Sequence, residues 1–255
     1  MCGLVGVAGS MTSKDIDTFG DLLFFNTVRG PHSTGIAAVQ RGVSNPRIDL
    51  LKRVGPAYEL MEHKQFDRVA SLGNSVLIGH NRFATVGKIN SANAHPFEFS
   101  EIIGAHNGTI PQYERSSIID GNKFDTDSEG IFNMMNDLGV EMTIPTLKGA
   151  WALSWYNKRD ATMNLLRNSE RDLYYTVATS GKTIYWASEA AMLHAALIRN
   201  GVDYGKVIAL REDTHYIFDV PAKFDDAFEE PQCNSLAGRA KDDYSAYGYS
   251  DYPDS

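Results

Sequence analysis

The residue best suited to chemistry in this sequence is Cys2, which directly follows the initiator Met1. Cysteine is small enough for Met1 to be trimmed after synthesis, and the trimmed chain would then begin with a thiol and a free α-amine on one residue. Such an amine titrates at about pH 7.7–8.0 and can therefore act as a built-in base for the thiol. The alternative is an ordinary buried cysteine in a first strand, because residues 4–8 are mostly apolar.

Four further polar clusters lie where predicted elements begin or end. They are Arg29-Gly30, Gly79-His80-Asn81-Arg82, His106-Asn107-Gly108 and Thr126-Asp127-Ser128-Glu129. Each has an ordinary structural interpretation, since an Asn-Gly pair is a frequent hairpin turn and a Thr-Asp pair can cap a helix. An arginine can form a surface ion pair, and a histidine can be a core residue. Taken singly, each structural interpretation is at least as good as a chemical one.

Hydrophobic spacing predicts the elements that must position these residues. The strands are 4–8, 36–40, 48–53, 75–83 and 101–106, followed by the pairs 150–157 with 162–167, 173–179 with 183–187, and 207–210 with 215–218. The helices are 14–28, 56–70, 131–138 and 189–199. Strands in two groups with helices between them indicate a layered α+β sandwich rather than an alternating parallel sheet.

Composition excludes several classes of function. The 255 residues carry 24 Lys and Arg against 32 Asp and Glu, and this net charge of −8 argues against nucleic-acid binding. No apolar run approaches the roughly 18 residues of a membrane span, and no signal peptide is recognisable, so we expect no membrane contact. The two cysteines, Cys2 and Cys233, form neither a disulfide framework nor a metal-binding motif. We therefore predict a cytoplasmic protein with no metal site.

The chain changes character near residue 225. Residues 225–255 are acidic, rich in Tyr, Ser and Asp, and lack apolar periodicity. This composition predicts a disordered tail after a single domain at 2–224, with Cys233 as an inert thiol in the tail. The alternative is an arm that docks on a partner, because aromatic residues remain in it.

Taken together and in order, the polar clusters resemble one family. The matching segments are CGLVGVAG at 2–9, RGPHSTG at 29–35, GHNRFATVG at 79–87, NAHPF at 93–97, HNGTI at 106–110, TDSE at 126–129, GAWAL at 149–153 and WASE at 186–189. Over residues 2–220 the chain is similar to the class II glutamine amidotransferases. The resemblance implies the four-layer αββα sandwich of the N-terminal-nucleophile hydrolases and hydrolysis of glutamine to glutamate and ammonia.

The resemblance also implies catalytic roles. Cys2 would attack the amide carbon and form a thioester. Asn107 and the backbone N–H of Gly108 would form the oxyanion hole, and Gly108 would permit the unusual backbone dihedrals that aim its N–H inward. Arg29 would help position the N-terminal residue.

Substrate recognition is implied in the same way. Arg82 would bind the α-carboxylate of L-glutamine through its guanidinium fork, with contacts from Thr85 and Val86. Asp127 would accept a hydrogen bond from the α-ammonium. The half-reaction needs no cofactor, and we expect a separate synthetase to accept the ammonia.

Several residues depart from the family pattern. His32 stands where the family usually has Asp, and Asn81, Phe83 and Val86 replace the more familiar Thr, Trp and His. Two other functions stay open: a different N-terminal-cysteine amidase, which acts on acyl amides, and a catalytically silent scaffold, for which His32 leaves some room. The pair of Arg82 and Asp127 argues against the first, since an acyl amide has no α-carboxylate or α-ammonium to bind.

Overall fold

The structure is a computed structural model that describes residues 1–40, 46–111, 113–114, 118, 123–224 and 226–236. The strands are, in chain order, β1 (Gly3–Gly9), β2 (Ser33–Gln40), β3 (Ile48–Val54), β4 (Asn74–Arg82), β5 (Phe97–Glu98), β6 (Ile102–Thr109), β7 (Ala150–Asn157), β8 (Thr162–Arg167), β9 (Tyr174–Val177), β10 (Thr183–Ala187), β11 (Ile208–Ala209), β12 (Thr214–Asp219) and β13 (Gln232–Ser235). The helices are α1 (Ser13–Phe25), α2 (Ala57–Met61), α3 (Phe66–Val69), α4 (Asp127–Leu138), α5 (Val140–Thr143) and α6 (Ala190–Arg199).

The strands form two antiparallel sheets. One has the order β11-β9-β10-β1-β4-β2-β3 and the other the order β13-β12-β8-β7-β6-β5. Strand β1 lies inside the first sheet, where it pairs with β10 on one edge and with β4 on the other. The strand that follows Cys2 is therefore hydrogen-bonded along both edges.

Three hydrophobic clusters hold four layers together. The first packs helices α1, α2, α3 and α6 on the outer face of the seven-stranded sheet and includes Phe19 of α1, Leu193 of α6 and Val5 of β1. The second lies between the sheets and joins Leu4 of β1 to Ala105 of β6. The third packs α4 on the outer face of the six-stranded sheet. The predicted four-layer αββα sandwich is thus confirmed.

Strand β1 approaches its neighbour too closely for a side chain at one position. A Cβ on Gly6 would lie 1.9 Å from the Trp186 indole, which belongs to the residue opposite it on β10. The fully buried indole of Trp186 instead occupies that space in the core between the sheets. The glycine therefore allows the tight packing of the strand that follows Cys2.

Two predicted elements differ in the structure. The helix predicted over 56–70 is divided into α2 and α3, because hydrogen bonds from His63 N to Leu60 O and from Phe66 N to His63 O tighten the chain between them. The predicted pairing of 207–210 with 215–218 is wrong, since β11 pairs with β9 and β12 pairs with β8 and β13. Short apolar runs reveal strands but not which sheet each strand joins.

The predicted tail is corrected for its first part. Residues 232–235 form β13, which pairs with β12 and sets Cys233 opposite Tyr216. Phe228 packs beside Phe218, and its N–H donates to Gly181 O. A strand at the edge of a sheet can pair through its backbone without an alternating apolar pattern, and composition alone therefore did not predict β13. Residues 225 and 237–255 lie outside the described residues, so their predicted disorder stays a prediction.

No helix among the described residues is long and apolar enough to cross a membrane. Within the same residues, no group of three or more His, Cys, Asp and Glu side chains is placed to hold a metal ion. Cys2 is buried and Cys233 is exposed, and both are free thiols. The cytoplasmic location stays a prediction.

Candidate active site

Most of the predicted site residues meet around one pocket. Those that line it are Cys2, Arg82, Thr85, Val86, Gly108 and Asp127, together with Phe83, His95, His106, Thr126 and Ser128. They come from the residue before β1, the last residue of β4 and the loop after it, the end of β6 and the start of α4. Arg29 and Asn107 do not line the pocket; the Arg29 side chain contacts Cys2 O and the Asn107 side chain contacts Ser188.

The Cys2 thiol is held by the backbone of Phe83. Its Sγ lies 3.4 Å from Phe83 O, to which the thiol donates, and it accepts from Phe83 N at 3.2 Å. Burial raises the pKa of the Cys2 thiol above its ordinary value, while the hydrogen bond from Phe83, the amino-terminal charge and Arg82 act in the opposite direction. A raised pKa keeps the sulfur protonated at neutral pH, so it needs a base to react.

Arg29 fixes the backbone of Cys2. Its Nε donates to Cys2 O at 2.9 Å, and its Nη1 forms an ion pair with Glu189. Arg29 is nearly buried, whereas Glu189 is half-exposed at the start of α6. The sequence motif WASE contains Glu189, but the spacing of motifs gives no sign that it reaches Arg29.

Asn107 and Gly108 lie within β6 rather than in the turn that an Asn-Gly pair often forms. Gly108 does not have the unusual dihedrals that we expected. It pairs within the sheet opposite Trp151, and a Cβ there would lie 1.9 Å from Ala150 O. The glycine is therefore required by close approach to β7 rather than by backbone conformation.

Arg82 organises the loop that follows β4. Its Nη1 donates to Lys88 O at 3.0 Å and its Nη2 donates to Val86 O. Burial lowers the pKa of Arg82, although Asp127 and Asp125 partly compensate. Thr85 reaches across to the end of β6, where its hydroxyl lies 3.0 Å from that of Thr109. This loop thus covers one side of the Cys2 thiol.

His32 supports the same loop. Its Nδ1 accepts from Ala84 N at 2.9 Å, and its ring packs against Phe83 with centroids 4.6 Å apart. The acidic residue usual at this position in the family would also offer an acceptor. The departure noted in the sequence therefore preserves a hydrogen-bond acceptor beside the loop.

Asp127 begins helix α4, with Thr126 as its N-cap accepting from Glu129 N at 3.2 Å. The Oδ2 of Asp127 accepts from Ile110 N at 2.7 Å, and Oδ1 accepts from Ser128 N at 3.0 Å. Backbone donors and the helix N-terminus both stabilise a carboxylate. The predicted capping function is thus present, and the carboxylate still lines the pocket.

Three buried histidines lie beside this pocket. His80 Nε2 is 3.0 Å from His106 O, which can only accept, so His80 Nδ1 is the acceptor for His95 Nδ1 at 3.0 Å. Burial lowers the pKa of all three rings, and it lowers those of His80 and His95 most. The histidines are therefore neutral at pH 7 and are weak bases.

Comparison with known proteins identifies relatives of this arrangement. The profile of the glutamine amidotransferase domain family matches residues 35–224. The glutamine–fructose-6-phosphate aminotransferase of Francisella tularensis is 26% identical over 97% of the chain, and that of Campylobacter jejuni is 32% identical over 69%. The chain spans only 41% and 32% of these two relatives.

Solved structures show the same fold. Glutamine phosphoribosylpyrophosphate amidotransferase from B. subtilis has a TM-score of 0.69 at 19% identity, covering 93% of this chain and 50% of its own. A glutamine aminotransferase class-II domain protein from Silicibacter pomeroyi has a TM-score of 0.56 at 14% identity, covering 92% and 99%. At 19% and 14% sequence identity, the similarity to these two structures shows a shared fold alone.

The raised pKa of Cys2 makes a prediction about thiol reactivity. Each unit of increase lowers the thiolate fraction about tenfold, and only the thiolate reacts. In the chain that retains Met1, we expect iodoacetamide to alkylate the buried Cys2 at pH 7 more slowly than the exposed Cys233. The Cys2 rate should still rise at pH values above 9. Peptide mass spectrometry measures both rates in one sample, and a Cys2 profile that levels off below pH 8 contradicts the prediction.

Proposed function

Because the chain belongs to the glutamine amidotransferase domain family, we propose that it hydrolyses the side-chain amide of glutamine with Cys2 as the nucleophile. The products are glutamate and ammonia. The observation that carries the proposal is the meeting of a thiol, a guanidinium and a carboxylate, from Cys2, Arg82 and Asp127, around one pocket. These are the groups needed to attack an amide and to bind both α-substituents of an amino acid.

The reaction begins once Met1 is removed and the α-amine of Cys2 is free. The thiol proton passes to this amine while the sulfur forms a bond to the amide carbon, and the carbonyl oxygen becomes an oxyanion. The amine then returns the proton to the leaving nitrogen, which departs as ammonia and leaves a thioester. Water hydrolyses the thioester, releasing glutamate and restoring the thiol. The neutral histidines nearby are poorer bases than the amine, which supports this route.

Asn107 and Gly108 are proposed to donate to the oxyanion. Arg29 holds Cys2 O, so that the amine and sulfur keep their orientation as the reaction proceeds. Removing one oxyanion donor of this kind typically costs about 2.7–4 kcal/mol of transition-state stabilisation. The oxyanion pair therefore accounts for a large part of the expected catalysis.

Glutamine is proposed to bind through its α-groups. Arg82 has five N–H donors and spends two on Val86 O and Lys88 O, so donors remain for a carboxylate. Thr85 and Val86 supply the rest of that end of the pocket. Asp127 is proposed to bind the α-ammonium. This pair favours a free amino acid over the acyl amide of the alternative amidase.

The fate of ammonia is also a proposal. The two matched aminotransferases are each more than twice the length of this chain. An acceptor fused in one polypeptide is therefore as consistent with them as the separate synthetase that we predicted. We propose that an ammonia-consuming enzyme, fused or separate, works with this domain.

The first prediction tests the nucleophile. Wild-type protein whose mass shows loss of Met1 should release glutamate from glutamine, and the Cys2→Ala variant should be at least about 10³-fold slower, because the nucleophile is gone. The Cys233→Ala variant is the matched control and should keep wild-type activity. Processed wild-type protein that releases no glutamate, and whose Cys2 is not labelled by an electrophilic glutamine analogue, would falsify the enzymatic proposal and favour the scaffold.

The second prediction tests substrate recognition. Asp127→Asn should raise the KM for glutamine about 10- to 100-fold, corresponding to one charge-assisted hydrogen bond of about 1.5–3 kcal/mol. Asp137→Asn, an exposed position on the same helix, is the control and should leave KM unchanged. Wild-type protein should also discriminate against N-acetylglutamine, which lacks the ammonium. Equal turnover of the two substrates supports the acyl-amide alternative instead.

The third prediction concerns the ammonia acceptor. In the native source, an antibody against this domain should detect either a longer polypeptide or a chain of 255 residues that co-purifies with an ammonia-consuming activity. In either case the preparation should release less free ammonia than glutamate when the acceptor substrate is present. Equal release of ammonia and glutamate, with no associated acceptor activity, contradicts the coupling.

A further inference from the structure

Ser188 joins the nucleophile strand to the second sheet. It follows β10 directly and is 1% exposed. Its backbone N–H donates to Leu4 O at 2.9 Å, and its hydroxyl accepts from Leu4 N at 2.9 Å. Ser188 therefore forms hydrogen bonds with both backbone polar groups of Leu4, which lies two residues after Cys2.

The same hydroxyl contacts Asn107. Asn107 Nδ2 lies 3.2 Å from Ser188 Oγ, and Asn107 Oδ1 is buried with no hydrogen-bond partner among the described residues. Both contacts of the Ser188 hydroxyl thus use its oxygen as an acceptor. A serine hydroxyl also carries one donor, and a buried carbonyl oxygen without a partner is costly.

Turning the Asn107 amide by 180° resolves both problems together. Ser188 Oγ then donates its proton to Asn107 Oδ1 while it still accepts from Leu4 N. The Nδ2 group then occupies the buried position where Oδ1 had no partner among the described residues, so its N–H donors are left for an acceptor on the substrate. The two ends of a side-chain amide are nearly equal in shape, so the hydrogen-bond network decides between them.

We propose that Ser188 is a positioning residue that sets the Asn107 amide with Nδ2 directed at the oxyanion. This inference rests on the proposed hydrolysis of glutamine. Side chains alternate along a strand, so Cys2 shares the inner face of β1 with Leu4, and Asn107 shares that of β6 with Ala105. Leu4 and Ala105 belong to the cluster between the sheets. Cys2 and Asn107 thus face the same layer.

The orientation of the amide matters in the transition state rather than in substrate binding. When Nδ2 of Asn107 is directed at the oxyanion, the amide donates a hydrogen bond to the developing negative charge. When Oδ1 is directed there instead, the carbonyl dipole would repel that charge. The α-groups of glutamine are bound elsewhere, by Arg82 and Asp127 in the proposed function. Loss of Ser188 should therefore lower kcat and leave KM almost unchanged.

The test is a double-mutant cycle on glutamate release by the full chain, processed at Met1. Ser188→Ala should lower kcat about 10- to 100-fold with KM within about threefold, the range expected when an oxyanion donor is misdirected. In the Asn107→Ala background the same change should lower kcat less than about threefold further, because its partner is already absent. Ser154→Ala removes another buried serine hydroxyl, one without a partner among the described residues, and should leave kcat unchanged.

The cycle separates two explanations. Ser188→Ala also removes the acceptor of Leu4 N, and damage through that bond would add to the Asn107→Ala effect. Additive losses, or a Ser188→Ala enzyme as active as wild type, overturn the inference while glutamine hydrolysis stands. Wild-type protein that releases no glutamate overturns the proposed function and this inference with it. Non-additive losses confined to kcat support it.

Discussion

The site depends on strand β1 being hydrogen-bonded along both edges. Cys2 has little structure of its own, since it precedes the strand by one residue and belongs to the end of the chain, where order is usually poor. Pairing with β10 and β4 fixes the register of residues 3–9, and a slip of one residue would turn the thiol toward α1. The contacts of Arg29 with Cys2 O and of Ser188 with Leu4 extend that register to the first residues. The position of a nucleophile near the chain terminus is thus fixed by the pairing of the strand that follows it.

The surroundings of the Cys2 thiol are buried and mostly neutral, and this limits which groups near the sulfur can carry a charge. Burial raises the pKa of Cys2 and lowers the pKa values of the three histidines, so each of these groups stays uncharged at pH 7. Arg82 and Asp127 instead contact backbone groups of complementary polarity, carbonyls for the first and N–H groups for the second. A base within the nucleophile itself suits this environment, because no further titratable side chain has to be buried beside the thiol.

Sequence was sufficient for the layers and for six of the residues that line the pocket, but not for the others that line it or for those that support them, and the predicted roles stay predictions. Cys2, Arg82, Gly108 and Asp127 are far apart in the chain, yet the order of their motifs was enough to predict one pocket. Ser188 and Glu189 were noted within a motif without a role, since their contacts with β1 and Arg29 arise only when β10 pairs with β1. Likewise, hydrophobic spacing does not reveal that β13 forms, or that β11 and β12 join different sheets, because both results depend on pairing between strands far apart in the chain.

His32 illustrates how a departure from a family pattern can keep the same physical role. The loop over Cys2 needs an acceptor for Ala84 N, and either a carboxylate or an imidazole nitrogen meets that need. An aspartate would bring a negative charge close to the sulfur and further disfavour the thiolate. The imidazole carries no carboxylate charge and adds contact with Phe83, whose backbone holds the thiol. The substitution therefore alters the electrostatics of the loop without removing a group from the proposed chemistry, which argues against the scaffold more than for it.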